Sequence, residues 1–282
     1  MNGRRTHELK NRLALAAGAL RFRQWAHFAL LPAAAFERGA LASPLAILPR
    51  ALLSISAASC ALAYAYGINA IADRKGDEAK QKNPLAGMTR LPLEVYASVF
   101  LAALLALGLG ISLGGFSFSL MLLSLAAGTV YSAGPRMKSK PLLGLIFNTL
   151  IFVPLLGLAL SPQKQPPGYA TIALTFTVLL VQNQLLHERA DEGEDARAQN
   201  LTTARFLGER GTLGLLIVSG AVGVLFARAL APNAALFGAA ALSLGVGTLV
   251  SMLVRVPARA RFCHKWIALI LGSIVFMVSV FL

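Results

Sequence analysis

Nine runs of apolar residues, each close to the ~20 that a helix needs to cross a bilayer, divide this chain of 282 residues. They lie at roughly 25–42, 50–72, 91–113, 116–133, 141–160, 168–188, 212–231, 233–254 and 265–282. Only short polar loops separate them. The prediction is an all-α, polytopic membrane protein of about nine transmembrane helices around a central cavity, forming one domain over residues 1–282. A basic segment at 1–24 precedes the first span. Hydrophobic residues make up 56% of the chain and charged residues 13%, which excludes a soluble domain with a large core.

The formal net charge of +14 first suggests a nucleic-acid partner. The basic residues, however, are scattered over loop ends, where they set topology and meet anionic headgroups of membrane lipid. No nucleic-acid partner is expected. With the N-terminus inside, 22 of the 26 Lys and Arg residues fall on the inner side, and only Arg38, Arg50, Lys164 and Arg228 fall outside. The expected placement is therefore the cytoplasmic membrane, N-terminus in and C-terminus out. Arg4, Arg5, Lys10 and Arg12 open the chain without a convincing cleavage site, so no removable signal peptide is expected. The two cysteines, Cys60 and Cys263, suggest packing rather than a disulfide framework.

Four aspartates occur in the whole chain, as two pairs spaced i, i+4: Asp73 with Asp77, and Asp191 with Asp195. On a helix that interval puts both carboxylates on one face. Asn69 extends the first pair into a stripe of three hard oxygen ligands, if the second helix continues that far. Such ligands suit Mg²⁺, which keeps waters and substrate phosphates in its remaining positions. The competing reading is a solvated loop with local ion pairs among Asp73, Arg74, Lys75, Asp77 and Glu78.

The second pair repeats the first. Asn183, His187, Asp191 and Asp195 follow one another at four-residue steps, with Glu188, Glu192 and Glu194 alongside. Gln182, Asn183 and Gln184 lie inside an apolar span, where polar groups face a polar cavity or hydrogen-bond between helices. Four spans separate the aspartate pairs, so both are expected on the cytoplasmic side. The segment Tyr131-Ser132-Ala133-Gly134-Pro135-Arg136-Met137-Lys138-Ser139-Lys140-Pro141 joins them there. Gly134 and Pro135 turn the chain. Arg136 and Lys138 are then placed to reach a phosphate, Arg through its planar fork and Lys as a point charge, while Lys140 suits anchoring.

These residues carry a resemblance. Asn69-x-x-x-Asp73-x-x-x-Asp77 followed by Lys82-Asn83-Pro84-Leu85 and Gly87 resembles the first signature of the UbiA superfamily of intramembrane prenyltransferases. Tyr131 to Pro141 resembles its Tyr-Ser-x-x-Pro-x-Arg-x-Lys turn, and Asp191-x-x-x-Asp195 with Thr202 resembles the second aspartate signature. The nine-span, N-in topology is similar as well. Ala70, Asn83, the early Gly87 and Gln199 depart from the family pattern, and none of them is one of the four aspartates.

The resemblance implies Mg²⁺-dependent transfer of a prenyl group from an isoprenoid diphosphate to an aromatic or other lipophilic acceptor, with release of pyrophosphate. Two Mg²⁺ ions held by Asn69, Asp73, Asp77, Asp191 and Asp195 would neutralise the departing diphosphate, assisted by Lys82, Arg136 and Lys138. Asn183 and His187 would line the pocket behind them. Tyr131 would offer its ring face to the allylic cation. Two other reactions fit the same metal–diphosphate site: terpene cyclisation, and transfer from phosphoribosyl diphosphate to a polyprenyl phosphate. A cation-binding transporter is the alternative from another class, although transporters usually place such carboxylates near the midplane.

Overall fold

The computed structural model describes residues 2–36, 44–77, 83–160 and 165–281. Every regular element among them is helical: α1 (Asn2–Ala19), α2 (Phe22–Trp25), α3 (Pro44–Asp73), α4 (Leu93–Leu113), α5 (Gly115–Ser132), α6 (Leu143–Leu156), α7 (Tyr169–Ala190), α8 (Glu192–Arg197), α9 (Thr203–Leu230), α10 (Ala234–Leu253) and α11 (Pro257–Phe281). Seven of these, α3, α4, α5, α7, α9, α10 and α11, are long and apolar enough to cross a membrane. Large apolar side chains stand open on their surfaces, among them Phe100, Leu225 and Leu253. Such faces suit lipid rather than water.

Two of the nine expected runs take other forms. The run at 25–42 begins as the single turn of α2 and continues as a 3-10 stretch over Ala26–Ala35, with 37–42 outside the described residues. Arg21, at φ 54, interrupts the helix before it, and Pro32 has no N–H to donate within it. The run at 141–160 yields α6, of only 14 residues, with Pro154 near its end. At ~1.5 Å per residue that helix falls short of a ~30 Å hydrocarbon layer. Elsewhere α11 starts at Pro257 rather than 265, and α9 carries a short helical turn, 203–207, ahead of a kink at Gly208, after which its long helix begins close to the expected 212.

The chain divides into two compact units. One comprises Met1–Ala33, Leu48–Arg136 and Leu150–Ala159. Its helices α3 and α4 approach closely at Gly67, where a Cβ would lie 2.6 Å from Val99. Small residues at such points let membrane helices gain dispersion contacts that lipid cannot supply. Ala16, Ala19, Ala70, Leu85 and Val95 form a buried cluster uniting α1, α3, α4 and the loop after α3. Hydroxyls add links: Tyr64 and Thr129 meet at 2.6 Å, and Ser124 donates to the Ile151 carbonyl at 2.7 Å.

The other unit comprises Ala34–Ile47, Met137–Thr149 and Leu160–Leu282. Here α7 packs against α9, α10 and α11, with Leu145, Leu185, Leu186, Leu216 and Ala260 at one buried centre. Gln182 is fully buried. It donates to Thr248 Oγ1 at 2.9 Å, and its Oε1 lies 3.2 Å from His264 Nε2. This amide therefore serves helix association, one of the two readings its sequence position left open.

Candidate functional site

In the first unit, α3 ends at Asp73, so Asp77 is not on the helix as the simple stripe requires. The four-residue relation nevertheless survives. The Asp77 amide donates to the Asp73 carbonyl at 2.9 Å, and the Gly76 amide donates to it at 2.8 Å. One more α-like turn thus hangs from the helix end, and both carboxylates stay on it. Asn83 packs against this turn. Fully buried, it donates to the Ala70 carbonyl at 3.0 Å and to Asp77 Oδ2 at 2.8 Å, and its own oxygen accepts the Leu85 amide at 3.0 Å. The departure at position 83 is a structural part of the turn.

Two cations attend this pair. Arg136, in the left-handed region at φ 47, places Nη2 3.1 Å from Asp73 Oδ1. The Asp73 side chain is 13% exposed and that of Arg136 43%, so the pair sits at the edge of the protein interior. Arg21 is the second. Burial lowers its pKa from the ordinary value, and the charges of Tyr66, Asp77 and Asp73 counter that shift. Sequence reasoning passed over Arg21; its signal is a lone arginine at the break between α1 and α2. Asn69 Oδ1 accepts from Ser132 Oγ at 3.2 Å, tying the stripe to the end of α5 beside the half-buried Tyr131. Lys82 lies outside the described residues.

The second unit builds the other pair by the same device. Helix α7 ends at Ala190, and Asp191 caps it. The Asp195 amide, in α8, then donates to the Asp191 carbonyl at 2.9 Å. His187 Nδ1 lies 3.1 Å from Asp191 Oδ2. Asn200 steadies Asp195 twice, its side chain donating to Oδ1 at 3.2 Å and its amide to the carbonyl at 2.9 Å. Arg205 donates to the carbonyls of Asp195 and Asn200. Gln199 adopts φ 55, the left-handed conformation that explains why glycine suits this position. Burial raises the Asp195 pKa above the usual carboxylate range and the charge of Asp191 adds to the rise, whereas Asn200, His187 and Lys138 oppose it. Lys138, in the short 3-10 turn Met137–Ser139, is thus electrostatically coupled to the second pair.

Each unit offers two carboxylates of the hard oxygen type that suits a divalent cation, and in the second unit burial and the Asp191 charge both act on Asp195. Asn183 Oδ1 is buried with no hydrogen-bond partner on the stripe leading to Asp191. Among the described residues no three His, Cys, Asp or Glu side chains form a ready-made metal cage. Mg²⁺ does not require one, since it commonly takes one or two carboxylates and completes its shell with water and phosphate oxygens.

A model of the UbiA prenyltransferase family matches residues 28–280. No curated protein matches the chain. Among solved structures, a UbiA homologue from Archaeoglobus fulgidus bound to GPP and Mg²⁺ is 21% identical, with a TM-score of 0.72 over 94% of this chain and 99% of that one. The same homologue bound to DMAPP and Mg²⁺ gives 20% and 0.69, over 93% and 98%. A digeranylgeranylglyceryl phosphate synthase shares the fold at 12% identity and a TM-score of 0.72, over 96% of this chain and 100% of that one.

Proposed function

The chain belongs to the UbiA prenyltransferase family, and we propose that it transfers a prenyl group from an isoprenoid diphosphate to an aromatic or other lipophilic acceptor within the membrane, releasing pyrophosphate. One observation carries this reading. Each aspartate pair is built by the same closing turn just past the end of a membrane helix, and each has a cation of the 131–141 segment attending it. That repetition suits a substrate with two phosphates and suits a solvated loop poorly. The GPP, DMAPP and Mg²⁺ held by the Archaeoglobus fulgidus homologues support the donor class and the metal.

In this reading Asp73, Asp77, Asp191 and Asp195, with Asn69, hold two Mg²⁺ ions. Bound there, the ions supply the positive charge that stabilises negative charge growing on the departing diphosphate. Arg136 and Arg21 add charge-assisted donors from the first pair, and Lys138 from the second. The planar Arg136 fork bonds one aspartate oxygen and has the geometry that suits phosphate oxygens as well. Tyr131, at the end of α5, turns a negative ring face toward the allylic cation. Apolar faces of the helices take the prenyl tail. The site opens to the cytoplasm, with the N-terminus on that side.

The test is to incubate purified protein with Mg²⁺, a panel of prenyl diphosphates and a membrane lipid extract, then assay pyrophosphate and prenylated products. Pyrophosphate with a prenylated acceptor is the expected result. Pyrophosphate with only cyclised hydrocarbon would replace transfer by cyclisation, and no pyrophosphate from any donor would overturn the reading.

A further inference from the structure

Two buried side chains outside the proposed oxygen-donor set organise the surroundings of the second aspartate pair. Glu188 lies on α7 between His187 and Asp191 and is only 4% exposed. Its Oε2 accepts the Ala204 amide at 3.0 Å, the Thr203 amide also donates to the carboxylate, and Gln184 donates to Oε1 at 3.3 Å. Ala204 and Thr203 open α9, where no preceding turn satisfies the first amides. A carboxylate there satisfies the free N–H groups of the short helical turn 203–207, which ends at the kink at Gly208. The chain therefore leaves α7, carries Asp191 and Asp195 through α8, and is fastened back onto α7 by Glu188.

Thr203 makes the second fastening. Its fully buried hydroxyl oxygen accepts the Leu142 amide at 3.0 Å. Leu142 stands at φ 61, a conformation that leucine enters only under constraint. Lys138 lies four residues before it. The chain just past Leu142 packs closely on Lys138: a Cβ on Gly144 would lie 3.2 Å from the Lys138 carbonyl oxygen. The start of α9 thus holds two loops, one bearing Asp191 and Asp195 and the other bearing Lys138.

We propose that Glu188 and Thr203 are positioning residues that dock both loops on the α9 N-terminus, so that Lys138 and the second aspartate pair meet a diphosphate in fixed register. The inference rests on the diphosphate reading above. A helix cap alone would need only the carboxylate. The hydroxyl link to Leu142, the strained residue that directly follows the basic segment, is what ties the cation to the same point.

The experiment measures binding of Mg²⁺ with inorganic pyrophosphate by calorimetry on the purified full-length protein, with thermal unfolding recorded alongside. Thr203→Val removes the acceptor while keeping the shape, Thr203→Ser restores it, and Glu188→Gln exchanges an accepting oxygen for a donating amide. Thr203→Val and Glu188→Gln are each expected to weaken Mg²⁺–pyrophosphate binding about 10- to 100-fold, and Thr203→Ser to bind nearly as the parent does. Lower melting temperatures with unchanged pyrophosphate affinity would reduce both residues to simple structural roles and overturn the proposal. Should Thr203→Val fail to fold, Glu188→Gln and Thr203→Ser decide the question. Asp191→Asn separates the two levels. If it abolishes binding while the two clamp variants bind normally, only the positioning role falls; if it too binds normally, the diphosphate reading falls and the clamp with it.

Discussion

Arg136 Nη2 stands 3.1 Å from Asp73 Oδ1, and the aspartate is the more deeply buried of the two. A guanidinium so placed can hold a carboxylate and a phosphate at once, because its donors point in several directions in one plane. Lysine cannot divide its charge in that way. Arg136→Lys is therefore expected to cost roughly 2–4 kcal/mol of transition-state stabilisation, about a 30- to 1000-fold loss of turnover. Lys140→Gln, on the far side of the basic segment, should cost little. Turnover of both variants with a prenyl diphosphate checks this, and a silent Arg136→Lys beside a damaged Lys140→Gln would reassign the phosphate contact.

Removing the metal should remove the activity. Every donor proposed is oxygen, so Mg²⁺ or Mn²⁺ should support turnover and excess EDTA should abolish it. Full activity in chelator would end the two-metal model.

The two aspartate pairs should behave as one machine. Asp73→Asn and Asp191→Asn are each expected to lower turnover by several orders of magnitude, with the double variant little worse than either, because groups that act together give non-additive losses. Independent, multiplicative losses in single-turnover assays would indicate two separate sites.

Asn83 is expected to matter although it is outside the donor set. Asn83→Ala strands the Leu85 amide and releases Asp77 Oδ2 in a buried turn. The expected cost is about 1–3 kcal/mol of stability, read as an earlier thermal unfolding midpoint, together with a higher Mg²⁺ requirement as Asp77 loses its support. A variant unchanged in both measurements would show that the turn holds itself.

Gln199 offers a gain instead of a loss. Its φ of 55 strains a residue with a Cβ, so Gln199→Gly should stabilise the second aspartate loop by about 0.5–1 kcal/mol, the relief exceeding the added chain entropy. A raised melting temperature would be the sign of it, and a lowered one would mean that the glutamine side chain holds the loop.

Much of the site was legible because charge is rare in this chain. Four aspartates and a compact basic turn stand out against apolar sequence, and from that turn Arg136 meets Asp73 while the charge of Lys138 acts on Asp195. Helix boundaries were less legible. Near the end of α3 the Ala70 carbonyl and Asp77 both accept from Asn83, distant in sequence, and hydrogen bonds of that kind leave no periodic trace. The shortness of α6 and the 3-10 form of Ala26–Ala35 follow from Pro154, Pro32 and the break at Arg21, yet Pro49 inside α3 did not end that helix. Local propensity alone cannot separate these cases. Arg21 and Thr203 were hidden for a different reason: each works through a partner distant in sequence.

The buried carboxamide of Gln182 has a consequence for how the chain is made. The span Tyr169–Ala190 that carries it has a hydropathy of only 1.4, against 2.1 for Thr203–Leu230. Its partners Thr248 and His264 are synthesised 66 and 82 residues later. The Leu216 carbonyl on α9, 3.4 Å from Nε2, comes 34 residues on, but until Thr248 and His264 arrive the amide is only partly paired, at a cost of order 1 kcal/mol. The polar contacts of this bundle are thus completed late, and a chain cut before α10 should hold the Gln182 amide by the Leu216 carbonyl alone and be more open to membrane proteases.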